Sequence, residues 1–144
     1  PSICIVMNPP SMEKYDPLVK PGGLLVVNST LVRSESSRGD LAVLYVPANE
    51  LAAELGNVKM ANVVLLGAML GAKEILPVDS VKRTLDRHIP KRRQYIVQPN
   101  KLALDRGLAF AQGLAFKTIG RVGATSKEPQ GSPSTPVSST TTGA

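Results

Sequence analysis

The chain has 144 residues, of which 42% are hydrophobic and 3% aromatic, and it carries a net charge of +6. This length predicts one domain with an aliphatic core, and the shortage of aromatic rings argues against a binding mode that depends on stacking. A single cysteine, Cys4, excludes an internal disulfide and a zinc or iron–sulfur site built by this chain alone. Cysteine usage therefore predicts a reducing, cytoplasmic compartment.

The first segment is predicted to be a strand–helix–strand unit. Residues 3–7 (ICIVM) form a continuous apolar run that is typical of a buried strand, and residues 24–27 (LLVV) repeat this pattern. Between them, Pro9 and Pro10 stop the strand, and Ser11 is predicted to cap a helix that runs to about Val19. Such a unit implies a parallel pair of strands and an α/β fold. Ligands of open α/β sheets bind beyond the strand ends, which makes these polar residues the crevice candidates: Asn8, Asn28, Ser29 and Thr30.

The middle of the chain continues the α/β pattern. Residues 31–40 are polar and predict a surface connection, and residues 41–46 (LAVLYV) predict a third strand. A helix with an apolar face at residues 48–55 follows and ends at Gly56. Residues 61–70 then form a helix that is apolar on nearly every side. Two interpretations remain open for it: a central core helix, or a helix shared with a second subunit in a homodimer.

The last third is predicted to be helical and then disordered. A helix over residues 81–88 is capped by Asp79 or Ser80, residues 95–97 form a short extended or linking piece, and a final helix covers residues 100–116. From residue 120 the composition changes to Ser, Thr, Pro and Gly, which cannot bury enough apolar surface to fold. We therefore expect an α/β domain over residues 1–119 and a disordered tail over residues 120–144. The longest uncharged apolar run, residues 60–72, is too short to span a bilayer, and we expect no signal peptide.

The positive charge is concentrated in one segment. Six cations lie within twelve residues, opposed only by Asp86. A local cluster of this kind predicts contact with an acidic protein surface or a phosphate, and not general nucleic-acid binding. A solvated helix face is the alternative. The partner-contact candidates are Lys82, Arg83, Arg87, Lys91, Arg92 and Arg93.

Signatures of catalysis are absent from the sequence. The one histidine, His88, lies in the basic segment, and the carboxylates form no metal-binding or acid–base motif. No glycine-rich phosphate loop follows the first strand. We therefore predict a three-layer, Rossmann-like, mostly parallel sheet with flanking helices that lacks its N-terminal strand, glycine loop and helix. No catalytic residue, metal ligand or cofactor of this chain is predicted.

Four segments, taken together, resemble a known family. They are LVKPGGLLVVNS (residues 18–29), VPANELAAELGN (46–57), ANVVLLGAMLG (61–71) and NKLALDRGLAFAQG (100–113). In this order and spacing they resemble the gamma subunit, or gamma domain, of 2-oxoacid:ferredoxin oxidoreductases.

The resemblance implies a role in a multi-subunit enzyme. These enzymes oxidatively decarboxylate a 2-oxoacid, transfer the acyl group to coenzyme A and reduce ferredoxin. Thiamine diphosphate, magnesium and iron–sulfur clusters belong to the alpha, beta and delta parts. The resemblance therefore implies a structural, non-catalytic gamma subunit whose partners are those subunits, with ferredoxin as the electron acceptor of the complex.

Two alternatives to this prediction stay open. The segment LVKPGGLLVV also occurs in methyltransferases that bind S-adenosylmethionine, so the chain could be part of a Rossmann-like methyltransferase. The second alternative is a non-enzymatic α/β interaction module that pairs through residues 61–72 and the basic segment.

Overall fold

The structure, a computed structural model, describes the backbone of residues 1–122 and the side chains of residues 1–114. Within this range three parallel strands form one sheet in the order β1-β2-β3: β1 (Ile3–Val6), β2 (Leu24–Asn28) and β3 (Ala42–Val46). The α-helices are α1 (Pro9–Tyr15), α2 (Ala48–Glu54), α3 (Ala61–Ala72), α4 (Val78–His88) and α5 (Val97–Val122). Short 3₁₀ helices cover Asp16–Leu18, Val58–Met60 and Lys91–Ile96.

The central strand β2 separates two apolar cores. Every residue of β2 is buried, whereas β1 and β3 are only partly buried because each has one neighbouring strand in the described sheet. Alternate side chains of β2 point to opposite faces: Leu24 and Val26 pack with α2, α3 and α5, and Leu25 and Val27 pack with α1. The predicted three-layer α/β arrangement is therefore confirmed.

Helix α1 begins earlier than predicted. Asn8, and not Ser11, is its N-cap: the Asn8 side-chain oxygen accepts a hydrogen bond of 2.9 Å from the Ser11 backbone N–H. Pro9 and Pro10 occupy the first helical turn, where a missing N–H costs nothing. The prolines that end the first strand thus also start the helix, and the predicted cap at Ser11 is wrong.

The core helices α3 and α5 pack with their backbones in close approach. A β-carbon added at Gly67 would overlap the Leu104 carbonyl, and one added at Gly107 would overlap the Val64 carbonyl and lie 2.8 Å from the Ala68 nitrogen. Small residues on both helices therefore allow the contact. The interpretation of residues 61–70 as a central core helix is confirmed within this chain, and the neighbouring backbone belongs to α5.

Three boundaries differ from the predicted ones in the last third. Helix α4 begins at Val78 with Pro77 as its N-cap, three residues before the predicted start, so the predicted cap at Asp79 or Ser80 is wrong. Residues 95–97, predicted to be a short extended or linking piece, are helical: Tyr95 and Ile96 end a 3₁₀ helix and Val97 begins α5. Helix α5 starts three residues before the predicted position and continues to Val122. The predicted disordered tail overlaps α5 at residues 120–122, and the rest of that tail, residues 123–144, lies outside the described residues. Among the described helices, none combines the length and the hydropathy that crossing a membrane requires.

Candidate functional site

The polar crevice candidates follow the carboxyl ends of β1 and β2. The strands are parallel, with Val6 paired to Val27 and Asn28 paired to Val46, so their carboxyl ends share one edge of the sheet. Asn8 is exposed and acts as the α1 cap. Its side-chain oxygen is engaged within its own turn, which accounts for an asparagine at this position.

Asn28 organises the chain reversal at the end of β2. Its side chain is fully buried, and its Nδ2 donates a 2.9 Å hydrogen bond to the Asn49 Oδ1. The Asn28 backbone carbonyl accepts hydrogen bonds from the backbone N–H groups of Leu31 (3.2 Å) and Val32 (2.9 Å). Its side-chain Oδ1 has no hydrogen-bond partner among the described residues.

Ser29 and Thr30 connect this reversal to the start of α2. The Ser29 N–H donates to the Val46 carbonyl at 2.9 Å and so extends the sheet ladder by one residue. The Thr30 hydroxyl accepts from the Asn49 N–H at 3.2 Å and donates to the Glu50 carboxylate. That hydroxyl is the main reason that the pKa of Glu50 lies below its ordinary value.

The structure therefore brings together Asn28, Ser29 and Thr30, but it leaves Asn8 outside their network. The sequence-based prediction missed Asn49 and Glu50, which complete the network from the first turn of α2. The sequence did contain a signal for Asn49 and Glu50, because both follow the end of β3. Since β3 is the parallel neighbour of β2, its carboxyl end lies beside that of β2.

A shallow cavity of about 310 Å³ adjoins this edge. It is lined by Ser29, Val32, Arg33, Ser34, Glu35 and Tyr45. The lining provides one cation, one carboxylate and several hydroxyl groups. These groups do not include a nucleophile paired with a base.

Arg38 fixes the loop between β2 and β3. Its Nη1 donates to the carbonyls of Asp16 (2.9 Å) and Val19 (2.6 Å), while its Nε and Nη2 donate to the two Asp40 carboxylate oxygens at 2.9 Å and 2.6 Å. The guanidinium hydrogen bond holds the pKa of the Asp40 carboxyl below its ordinary value. The sequence indicated only a surface connection over residues 31–40, so these Arg38 hydrogen bonds were missed.

Groups with potential reactivity lie apart from one another. Burial raises the pKa of the Cys4 thiol, which sits in β1. The His88 Nδ1 lies 3.1 Å from the Thr84 carbonyl, one turn earlier in α4. Within the described part of the chain, no three His, Cys, Asp or Glu side chains are placed to hold a metal ion.

The basic segment lies on α4 and on the 3₁₀ helix that follows, neither of which buries any residue. Lys82 forms an ion pair of 2.6 Å with Asp105 of α5, and the Arg83 Nη2 donates to the Ser80 hydroxyl at 2.9 Å. The remaining four candidates are exposed and have no ion-pair partner among the described residues: Arg87, Lys91, Arg92 and Arg93.

Comparisons with known proteins agree on one group. A family model described as pyruvate ferredoxin/flavodoxin oxidoreductase matches residues 1–110. The 2-oxoglutarate synthase subunit KorC of Methanocaldococcus jannaschii is 26% identical over 118 residues, which cover 79% of this chain and 60% of that protein.

Solved structures show the same fold. The keto/oxoacid ferredoxin oxidoreductase gamma subunit of Geobacter sulfurreducens matches with a TM-score of 0.69 at 23% identity, over 78% of this chain and 64% of that one. The 2-oxoglutarate:ferredoxin oxidoreductase of Magnetococcus marinus, solved with 2-oxoglutarate, coenzyme A and succinyl-CoA bound, matches with a TM-score of 0.68 at 21% identity, over 78% and 20%. The chain spans about 60% of the length of the KorC relative.

Proposed function

Because this chain belongs to the pyruvate ferredoxin/flavodoxin oxidoreductase family, we propose that it is the gamma-type part of a multi-subunit 2-oxoacid:ferredoxin oxidoreductase. The observation that carries the proposal is the family match over residues 1–110, which includes the whole sheet, α1 to α4 and half of α5. In this proposal the complex oxidatively decarboxylates a 2-oxoacid, and this chain has a structural and assembly role in it. We place the complex in the cytoplasm.

The family membership confirms the resemblance inferred from the four sequence segments. All four lie wholly or mostly within the matched residues, and the fold is that of a gamma subunit. The methyltransferase alternative rested on residues 18–27 alone and finds no support in the comparisons. An interaction module outside any oxidoreductase remains the competing hypothesis, and the experiment below separates the two.

The cofactors implied by the family do not fit the donor set of this chain. An iron–sulfur cluster requires several thiolates, and the chain has one cysteine. Among the described residues, no three His, Cys, Asp or Glu side chains are grouped to hold a metal ion such as magnesium. We therefore assign thiamine diphosphate, magnesium and the clusters to other chains, and we derive no chemical step from residues of this one.

The polar edge of the sheet supports a structural role. Asn28 donates to the Asn49 side chain, and Thr30 donates to Glu50 and accepts from the Asn49 N–H. These bonds fix the end of β2 to the first turn of α2. Such an edge stiffens the domain and so presents its surfaces in a defined arrangement. The proposed partners are the alpha, beta and delta subunits, with ferredoxin accepting electrons from the complex.

Co-purification tests the proposal. The chain, tagged and expressed with its native partners, is expected to bring down a complex that contains thiamine diphosphate and iron. That complex should reduce a viologen dye only when a 2-oxoacid and coenzyme A are both supplied. A chain that purifies without thiamine diphosphate and iron–sulfur partners would refute the proposal in favour of an isolated interaction module.

A further inference from the structure

The described cations of α4, of the 3₁₀ helix that follows it and of α5 fall into two classes. In the first, Lys82, Lys101 and Arg106 are neutralised by carboxylates on neighbouring helices: Lys101 contacts Asp86 at 2.7 Å, and Arg106 contacts Glu54 at 2.8 Å. These pairs fasten α4 and α2 to α5. Each of these three cations therefore has its counterion within the chain.

The second class lies on one side of α4 and beyond its end. Arg83 and Arg87 are one helical turn apart and share a face, and both are exposed. The three consecutive cations of the following 3₁₀ helix are exposed as well. None of these five has a carboxylate partner among the described residues. We call them the basic surface: Arg83, Arg87, Lys91, Arg92 and Arg93.

The composition of this surface fits a protein partner. Four of its five cations are arginines, and Tyr95, in the same 3₁₀ helix, is 76% exposed. Arginine and tyrosine are among the residue types enriched in protein–protein interfaces. The surface also extends over more than one helical turn, which is wider than a single phosphate group.

The charge of the segment specifies the chemistry of the partner. Residues 78–96 carry four more cations than carboxylates, which is most of the +6 charge of the chain. A second copy of this chain would present the same sign and would be repelled. An acidic face on another subunit would supply the missing counterions and steer association.

Building on the proposed function, we propose that the basic surface is the docking site for an acidic face of another subunit of the oxidoreductase complex. Residues Lys82 and Asp86 hold α4 against α5 and are not part of this contact. The contact is electrostatic, so it weakens as salt screens the charges, over a Debye length of about 8 Å at physiological ionic strength.

Two matched variants of the tagged chain test the proposal in the native complex. The first variant reverses the charge of three cations of the basic surface. The second reverses the charge of three exposed cations elsewhere, which also have no ion-pair partner among the described residues. The test variant is Arg87→Glu, Lys91→Glu and Arg93→Glu, and the control is Lys20→Glu, Lys59→Glu and Lys73→Glu. Each rim charge typically changes affinity by a few-fold, so we expect the test variant to weaken assembly by about tenfold or more.

Dissociation is measured by size-exclusion chromatography over a salt series, and contact is measured with a carbodiimide, which joins a lysine amine to an adjacent carboxylate. We expect Lys91 of the unmodified chain to be cross-linked to an Asp or Glu of a partner subunit, and only the test variant to dissociate at lower salt. Equal responses of the two variants, or no cross-link at Lys91 in an intact complex, would overturn the docking site and leave the proposed function standing. A failure of the unmodified chain to form the complex would refute the proposed function and this inference together. Binding of the unmodified chain to a DNA duplex at about 0.15 M salt, lost in the test variant only, would overturn the assignment to a protein partner.

Discussion

Replacing Gly107 by alanine tests the close packing of α3 and α5. The added β-carbon would overlap the Val64 carbonyl and lie 2.8 Å from the Ala68 nitrogen. Both are backbone atoms, so no side-chain rotation relieves the overlap and the two helices must separate. Alanine favours the helix by about 1 kcal/mol over glycine, whereas overpacking of a core costs about 1–3 kcal/mol and occasionally more.

Here the cost should exceed the gain, because separating the helices also loosens the packing around Leu65 and Leu104, which are fully buried. The overlap is with backbone, so the cost lies at the upper end, about 3 kcal/mol. Less the helix gain of about 1 kcal/mol, we expect Gly107→Ala to lower the free energy of unfolding by about 2 kcal/mol, measured by urea denaturation followed with circular dichroism. Gly113→Ala is the matched control on the same helix, since nothing lies within 4 Å of the added atom there. It should raise stability by up to about 1 kcal/mol. A Gly107→Ala protein as stable as the control would refute the close approach.

Three further predictions concern polar contacts. Asp40→Asn should lower the free energy of unfolding, because Arg38 stabilises only the ionised Asp40 carboxylate. The loss of stability should be complete above about pH 4 and should vanish as the pH falls through the lowered folded-state pKa of Asp40. Urea unfolding at several pH values measures this loss. Asn28→Asp places a carboxyl group at a fully buried site, so the pKa of that carboxyl should be raised. The loss of stability should be small near pH 4 and should reach about 3 kcal/mol near pH 7. Urea unfolding at both pH values measures this loss. Thr30→Val removes the hydroxyl that lowers the pKa of Glu50, so an NMR titration should show that pKa returning toward its ordinary value; an unchanged pKa would contradict the assigned hydrogen bond.

Much of the fold was predictable because local patterns agree with the tertiary structure. Residues 24–27 are four consecutive apolar residues. They make up most of β2, which is the one described strand that is buried along its whole length. Residues 61–70 were predicted to form a helix that is apolar on nearly every side, and α3 lies in the core. Gly56, at φ +81°, follows the end of α2 as predicted. These features depend on residue type and spacing alone.

The errors arose where local signals compete or where a contact joins distant segments. Residues 95–97 (YIV) have strand-like propensity, yet they join a 3₁₀ helix to α5. Pro9 and Pro10 both stop a strand and start a helix, so Ser11 was mistaken for the cap. The contact between Thr30 and Glu50 spans twenty residues, and the Arg38 hydrogen bonds reach back to Asp16 and Val19. Single-sequence patterns carry no distance information of that kind.

The two polar regions should respond differently to mutation, and this difference tests the proposed division of roles. At the carboxyl edge of the sheet, Asn28 and Thr30 find partners inside the chain, so substitutions there should change the free energy of unfolding and leave the salt dependence of complex assembly unchanged. On the basic surface, Arg87 and Lys91 have no ion-pair partner among the described residues, so substitutions there should change assembly and leave unfolding nearly unchanged. If Thr30→Val altered assembly at unchanged stability, the edge would have to contact another subunit directly, and its role as an internal brace would be wrong.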